Sequence, residues 1–242
     1  RGSSGQSGER GSSRDHGRTC ARTCCAIPCY TPKINGAIMR YADAIWRPSS
    51  CFTAGNGRKP TFAVLHITDG SPSVQNSAER FASSKAGVSP HFLIGQGGEI
   101  YQFVQLEDIA WHAKGWNSNS IGIEHVARSP GELKQWASLS ERTHRNLVPE
   151  GAAIDGRTDP GFSLTEMQLA ASARLVAWLC FTFGWEANRR AIRPHCENPQ
   201  TTHLDCGRDW PWDSYLAAVS DRLLELRSGS AATCENDGDA GQ

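Results

Sequence analysis

The chain has 242 residues, enough for one ordinary domain with tails or for two small ones. Hydrophobic residues make up 38%, sufficient for a real core, and 25 Lys+Arg against 25 Asp+Glu give a formal net charge of +0. That balance argues against a dominant nucleic-acid or anionic-membrane surface, and no apolar run reaches the roughly 18–20 residues a membrane-spanning helix needs.

Residues 1–40 begin with Gly, Ser and Arg and carry hardly an apolar side chain over the first 19 positions. Such a segment cannot offset the entropy of ordering and is expected to be disordered. No apolar signal-peptide core stands in its first 30 residues, so there is no sequence evidence for Sec-type export. The chain holds nine cysteines, an odd number, and Cys20, Cys24, Cys25 and Cys29 cluster in "CARTCCAIPC". A small metal knot or a disulfide staple is one reading. A loosely ordered tail with reactive thiols is favoured, because no His or second Cys pair lies nearby at zinc-finger spacing.

The folded unit is expected over residues 41–227. "TFAVLHITDG" (Thr61 to Gly70) reads as a buried central strand closed by an Asp-Gly turn, and "PSVQNSAERFASSK" after it as a helix. "SPHFLIGQGGEIYQFV" reads as two strands around a Gly-rich hairpin. Its Gly95, Gly97 and Gly98 precede no helix, so a nucleotide-binding loop is disfavoured. "SIGIEHVA" (Ser120 to Ala127) is a further strand. Residues 128–162 are polar, rich in Gly, Pro and Asp, and form a long surface excursion.

Ser163 and Glu166 make an S-x-x-E capping box that opens a helix, and Gly184 ends it. Leu164, Ala171, Leu175, Trp178, Leu179 and Thr182 follow at roughly helical spacing. A last helix starts near Trp212 and is expected to bury Leu216, Val219, Leu223 and Leu224. Residues 228–242 read as a second disordered tail. Strands interspersed with helices imply an α/β fold, a single domain with a mixed central sheet flanked by helices.

The chemistry-bearing residues concentrate late in the chain. "RPHCENPQTTHLDCGRDWPWD" (Arg193 to Asp213) holds two histidines, two cysteines, three aspartates and two tryptophans with almost no aliphatic residues. That suits a site of ligating side chains beside an aromatic wall better than a core strand. His66 ends the first strand, where α/β sheets place ligands and catalytic groups. Alone it is as readily a buried imidazole bonded to a carbonyl. With His195 and Asp205 it completes a two-imidazole, one-carboxylate set, the composition of a catalytic zinc site with an open fourth position. Glu124 ends the "SIGIE" strand and is either a solvated carboxylate or a base for a metal-activated water. "AWHAKGWN" sets Trp111 and Trp116 around His112, as wall residues of a cleft or as core packing.

The strand "VLHIT", then "AWHA" and "NSNSIGIE", then a late His followed by "THLDCG" and "WPWD" resemble the zinc-dependent N-acetylmuramoyl-L-alanine amidases of the amidase-2 group, which are related to peptidoglycan-recognition proteins and endolysins. The resemblance covers roughly residues 41–225. It implies a Zn2+ held by His66, His195 and Asp205, with Glu124 as the catalytic carboxylate and His203 as stabiliser of the transition state. Trp111, His112 and Trp116 are groove-wall candidates. The substrate implied is peptidoglycan, cut between N-acetylmuramic acid and L-alanine on the cell-wall side by a monomer that needs no nucleic acid. A non-catalytic peptidoglycan-binding module is the alternative. Cys206 stands where the family has proline, and is a rival third ligand to Asp205. The early sequence favours an endolysin or a lysin fragment over a bacterial wall-remodelling enzyme.

Overall fold

The structure is a computed structural model that describes residues 40–127, 164–203, 205–206 and 210–236. Most of the expected N-terminal tail, the Cys20–Cys29 cluster and the polar excursion over 128–162 lie outside the described residues.

The centre is β3 (Phe62–Ile67), with all six residues buried. It pairs parallel with β7 (Ser120–His125) on one side and with β8 (Ile192–Pro194) on the other. A strand flanked in this way is covered on both faces, which is why "FAVLHI" runs apolar instead of alternating with polar residues. The sheet continues through β4 (Phe92–Ile94), parallel to β7, and β5 (Ile100–Gln102), antiparallel to β4. Edge strand β1 (Ile45–Trp46) is parallel to β5, giving the order β1-β5-β4-β7-β3-β8. A small separate ribbon joins β2 (Phe52–Thr53) to β6 (Ile109–Ala110). The mixed sheet is as the sequence predicts. Strands β1, β2 and β6 are additions, each two residues long.

Side-chain alternation sorts the sheet into two faces. Ala63, Leu65 and Ile67 of β3 join Ile121 and Ile123 of β7 in the larger core. Against that face lie α2 (Glu166–Phe183) and α3 (Trp212–Asn236). The other face carries Leu93 and Tyr101 into a second core with α1 (Val74–Ala82). It also presents Val64 and His66 of β3 beside Gly122 and Glu124 of β7, which are direct register partners.

The helix ends follow local chemistry. Ser73 caps α1 by accepting a hydrogen bond from the Asn76 amide at 3.2 Å. Thr165 caps α2, accepting from the Gln168 amide at 3.1 Å. This corrects the Ser163–Glu166 box. Thr165 and Gln168 show the same T/S-x-x-E/Q spacing two residues later, and Ser163 lies outside the described residues. Gly184 closes α2 at φ 69, as its residue type predicts.

Two expectations for α3 are overturned. The helix runs to Asn236, so residues 228–236 are helical, not part of a disordered tail. Leu224 is 61% exposed. Tyr215, Val219 and Leu223 recur every four residues and form the buried stripe, and Leu224 lies about 100° round from it.

Candidate metal centre

Three elements deliver the ligating groups. His66 is carried by β3, one residue before its end. β8 leads straight into a short 3-10 turn (His195–Glu197) that projects His195. The chain then returns at Asp205, whose carbonyl accepts from the Cys196 amide at 3.4 Å. All three side chains are buried, and their donor atoms lie within 4.8 Å of one another. Asp205 Oδ2 is 3.1 Å from His66 Nδ1, and Asp205 Oδ1 is 3.1 Å from His195 Nδ1.

This set fits a zinc-sized ion. Bonds of about 2.0–2.1 Å in a tetrahedron separate ligand atoms by about 3.3 Å, close to the N···O spacings found here. Two imidazoles and one carboxylate leave one position for water or substrate. Burial would raise the Asp205 carboxyl, but the adjacent His195 and His66 imidazoles override it and hold the group well below the usual carboxylate range. Burial and the neighbouring His195 push His66 down to about 4, so it is neutral at physiological pH, as a ligand must be.

Glu124 stands across the β3–β7 ladder from His66. Its Oε2 is buried and has no hydrogen-bond partner among the described residues. Burial, aided by the negative charge of Asp205, pushes its carboxyl up to about 8. His203 is exposed and stacks on the His195 ring, with centroids 5.1 Å apart and planes at 22°.

A cleft of about 390 Å³ opens over the centre, lined by Trp111, His112, Lys114, His195, Gln200 and His203 among others. The Asn198 side chain bolts the two walls together by donating to the Lys114 carbonyl at 2.9 Å. Trp111 lines the cleft at 38% exposure and donates through Nε1 to Thr53 Oγ1 at 3.0 Å. His112 lines it too, but its Nδ1 also lies 3.0 Å from His66 Nε2. Trp116 is not among the lining residues. A turn through Gly115 at φ 87 swings its ring edge-on to Phe62 at 5.1 Å, beneath the Arg193 guanidinium.

Cys206 is buried with φ 54. Proline, locked near φ −65°, could not take that conformation, so the loop departs physically from the proline-containing pattern. Burial pushes the Cys206 thiol well up, which keeps it protonated, and the metal-competent cluster contains Asp205 instead.

The sequence reading missed several groups that hold the centre. His125 points to the helix side of the sheet. Its Nδ1–H donates to the His66 carbonyl at 2.9 Å, and its Nε2 lies 2.8 Å from Ser172 Oγ, which lies 2.7 Å from the Tyr215 hydroxyl. Since a carbonyl only accepts, the chain of donors runs Tyr215 to Ser172 to His125 to the His66 backbone. Asn117 Oδ1 accepts from the backbone amides of His112 and Ala113. An Asn in a loop is a recognisable signal for such a turn, whereas nothing local marks the partners of His125.

Fold and centre together define an α/β protein in which His66, His195 and Asp205, near the strand ends of a mixed sheet, form a group that could hold a metal ion. The family model for N-acetylmuramoyl-L-alanine amidase, Amidase_2, matches residues 56–208, and the chain belongs to that family. A curated relative, N-acetylmuramoyl-L-alanine amidase A of Achromobacter lyticus, is 38% identical over 118 residues, covering 48% of this chain and 65% of the relative. The match thus spans less than two thirds of that protein. Among solved structures, a selenomethionine derivative of AmpD superposes with a TM-score of 0.51 at 21% identity, over 74% of this chain and 96% of that one. This likeness concerns the fold.

Proposed function

We propose that residues 41–236 form a zinc-dependent hydrolase domain that cleaves the amide bond between N-acetylmuramic acid and L-alanine in peptidoglycan, acting as a monomer. The observation that carries this reading is the convergence of His66, His195 and Asp205 beneath a cleft, with Glu124 on the adjacent strand, its Oε2 unpartnered among the described residues.

His66, His195 and Asp205 would hold the ion. A zinc ion there would supply a Lewis acid able to activate water and polarise the scissile carbonyl. Glu124 Oε2 has no competing donor among the described residues, and burial raises the carboxyl, so its carboxylate is a stronger proton acceptor than a solvated one. It takes the proton from the attacking water and returns it to the leaving amine of L-alanine. His203, beside His195 at the cleft, donates toward the oxyanion that forms on the carbonyl. Trp111 offers an apolar face to the glycan or stem peptide, and Lys114 places a cation on the same wall.

A peptidoglycan-binding module without catalysis would need the cleft but not the buried Glu124 carboxylate. Glu124→Gln separates the two. An amidase loses release of stem peptides while keeping sacculus binding, whereas a binding module shows no release in either form.

A further inference from the structure

The hydrogen bonds behind His66 form a directional chain that fixes which imidazole nitrogen carries a proton. Ser120 Oγ donates to the Trp116 carbonyl at 2.7 Å, a short bond to a group that only accepts. Its single proton is thereby used. The Ser120 oxygen lies 3.3 Å from His112 Nε2 and can only accept there, so His112 carries its proton on Nε2. His112 Nδ1 is then a lone pair, 3.0 Å from His66 Nε2, and accepts from the His66 Nε2–H. His66 Nδ1 is left as a lone pair facing Asp205 Oδ2 at 3.1 Å. Two acceptors held that close call for a cation between them.

Each member of the chain is held by further contacts. Ser120 is fully buried, and its carbonyl accepts from Arg58 Nη1 at 2.9 Å. Asn117 clamps the His112 backbone. Gly122 leaves room for the ring, since a Cβ there would lie 2.4 Å from His112 Cγ.

We propose that His112 is a positioning residue, its tautomer set by Ser120, which holds the His66 Nε2–H and so turns the His66 Nδ1 lone pair onto the metal. This rests on the metal centre proposed above and concerns affinity for the ion, independent of turnover. The partner of a ligating imidazole's second nitrogen typically changes metal affinity by about 10–100-fold when lost.

The test is zinc affinity measured by competition with a chromophoric chelator, with no substrate present. His112→Phe keeps the ring volume but removes the acceptor, and is expected to weaken zinc binding about 10–100-fold. Ser120→Ala frees His112 to adopt the other tautomer and should weaken it about tenfold. His112→Asn puts an amide oxygen near the Nδ1 position and should restore binding to within about tenfold of the unaltered protein. Long-range 1H–15N correlations on the unaltered zinc-loaded protein should show His112 protonated on Nε2, a readout that needs no variant to fold. Unchanged affinity in both His112→Phe and Ser120→Ala, or an Nδ1-protonated His112, overturns the relay and leaves the metal centre standing. Failure of the unaltered protein to bind zinc overturns both.

Discussion

His66 and Asp205 are 139 residues apart in the chain and meet at 3.1 Å, imidazole Nδ1 to carboxylate Oδ2. His66 is fixed by the ladder between β7 and β8, and Asp205 by the turn that follows β8. Assembly of the centre therefore depends on strand register as much as on residue type.

Removing an imidazole ligand should separate folding from metal binding. His66→Ala is expected to fold, as judged by far-UV circular dichroism, yet to purify without stoichiometric zinc and to release no stem peptides. Elemental analysis of the purified variant checks it.

The raised carboxyl of Glu124 gives a pH dependence with a defined sign. Its folded value of about 8 lies above the ordinary 4.5, so the folded state holds a proton that the unfolded state loses. In the zinc-free protein, stability from this group is full below about pH 4.5 and declines as pH rises toward 8. A tenfold difference in proton affinity between the two states corresponds to about 1.4 kcal/mol, so Glu124→Gln should stabilise the zinc-free protein at pH 8 by more than about 1 kcal/mol. Denaturant unfolding of both proteins at pH 5 and pH 8 measures the difference. Zinc-free stability that does not fall more steeply with pH in the unaltered protein than in the variant contradicts it.

Buried histidines act in the opposite direction at lower pH. Burial lowers His125 and His66 to about 4 each, below the ordinary 6.5. The unfolded chain binds more protons than the fold between these values, so stability lost to these groups grows as pH falls from about 6.5 toward 4. Zinc competes with protonation of His66, so added zinc should shift the acid unfolding midpoint downward. Fluorescence-monitored acid titration with and without zinc reads this directly.

The rear chain of Tyr215, Ser172 and His125 supports the backbone of His66 without touching the cleft. Tyr215→Phe removes one buried hydrogen bond at constant shape and should cost about 1 kcal/mol of stability. Zinc stoichiometry should remain unchanged.

Gly122 is the tightest point beside the centre. Gly122→Ala drives a Cβ into the His112 ring and should cost about 1–3 kcal/mol, with zinc affinity reduced as well. Thermal unfolding and chelator competition on the same sample give both numbers.

Much of the centre was legible from residue order. His66 and Glu124 each stand one residue before the end of an apolar strand, and Asp205 follows His195 at a spacing that a compact return loop can close. The ends of α2 were marked by chemistry that acts over four residues, although the cap falls on Thr165. Strands β1, β2 and β6, at two residues each, are too short to show any alternation. The orientation of Trp116 depends on a left-handed glycine turn, and the Ser120–His112 pairing on a hydroxyl rotor, so neither leaves a periodic trace. The extension of α3 past residue 227 was hidden because Ser, Gly and Ala there read equally well as a polar tail.

Mass analysis of purified peptidoglycan after digestion, with and without a zinc chelator, tests the central claim most directly. Free stem peptides beginning with L-alanine should appear, with the glycan strands uncut, and should vanish on chelation and return with added zinc. Cleavage within the glycan, cleavage elsewhere in the peptide, or release of stem peptides that persists in full after the metal is removed would contradict it.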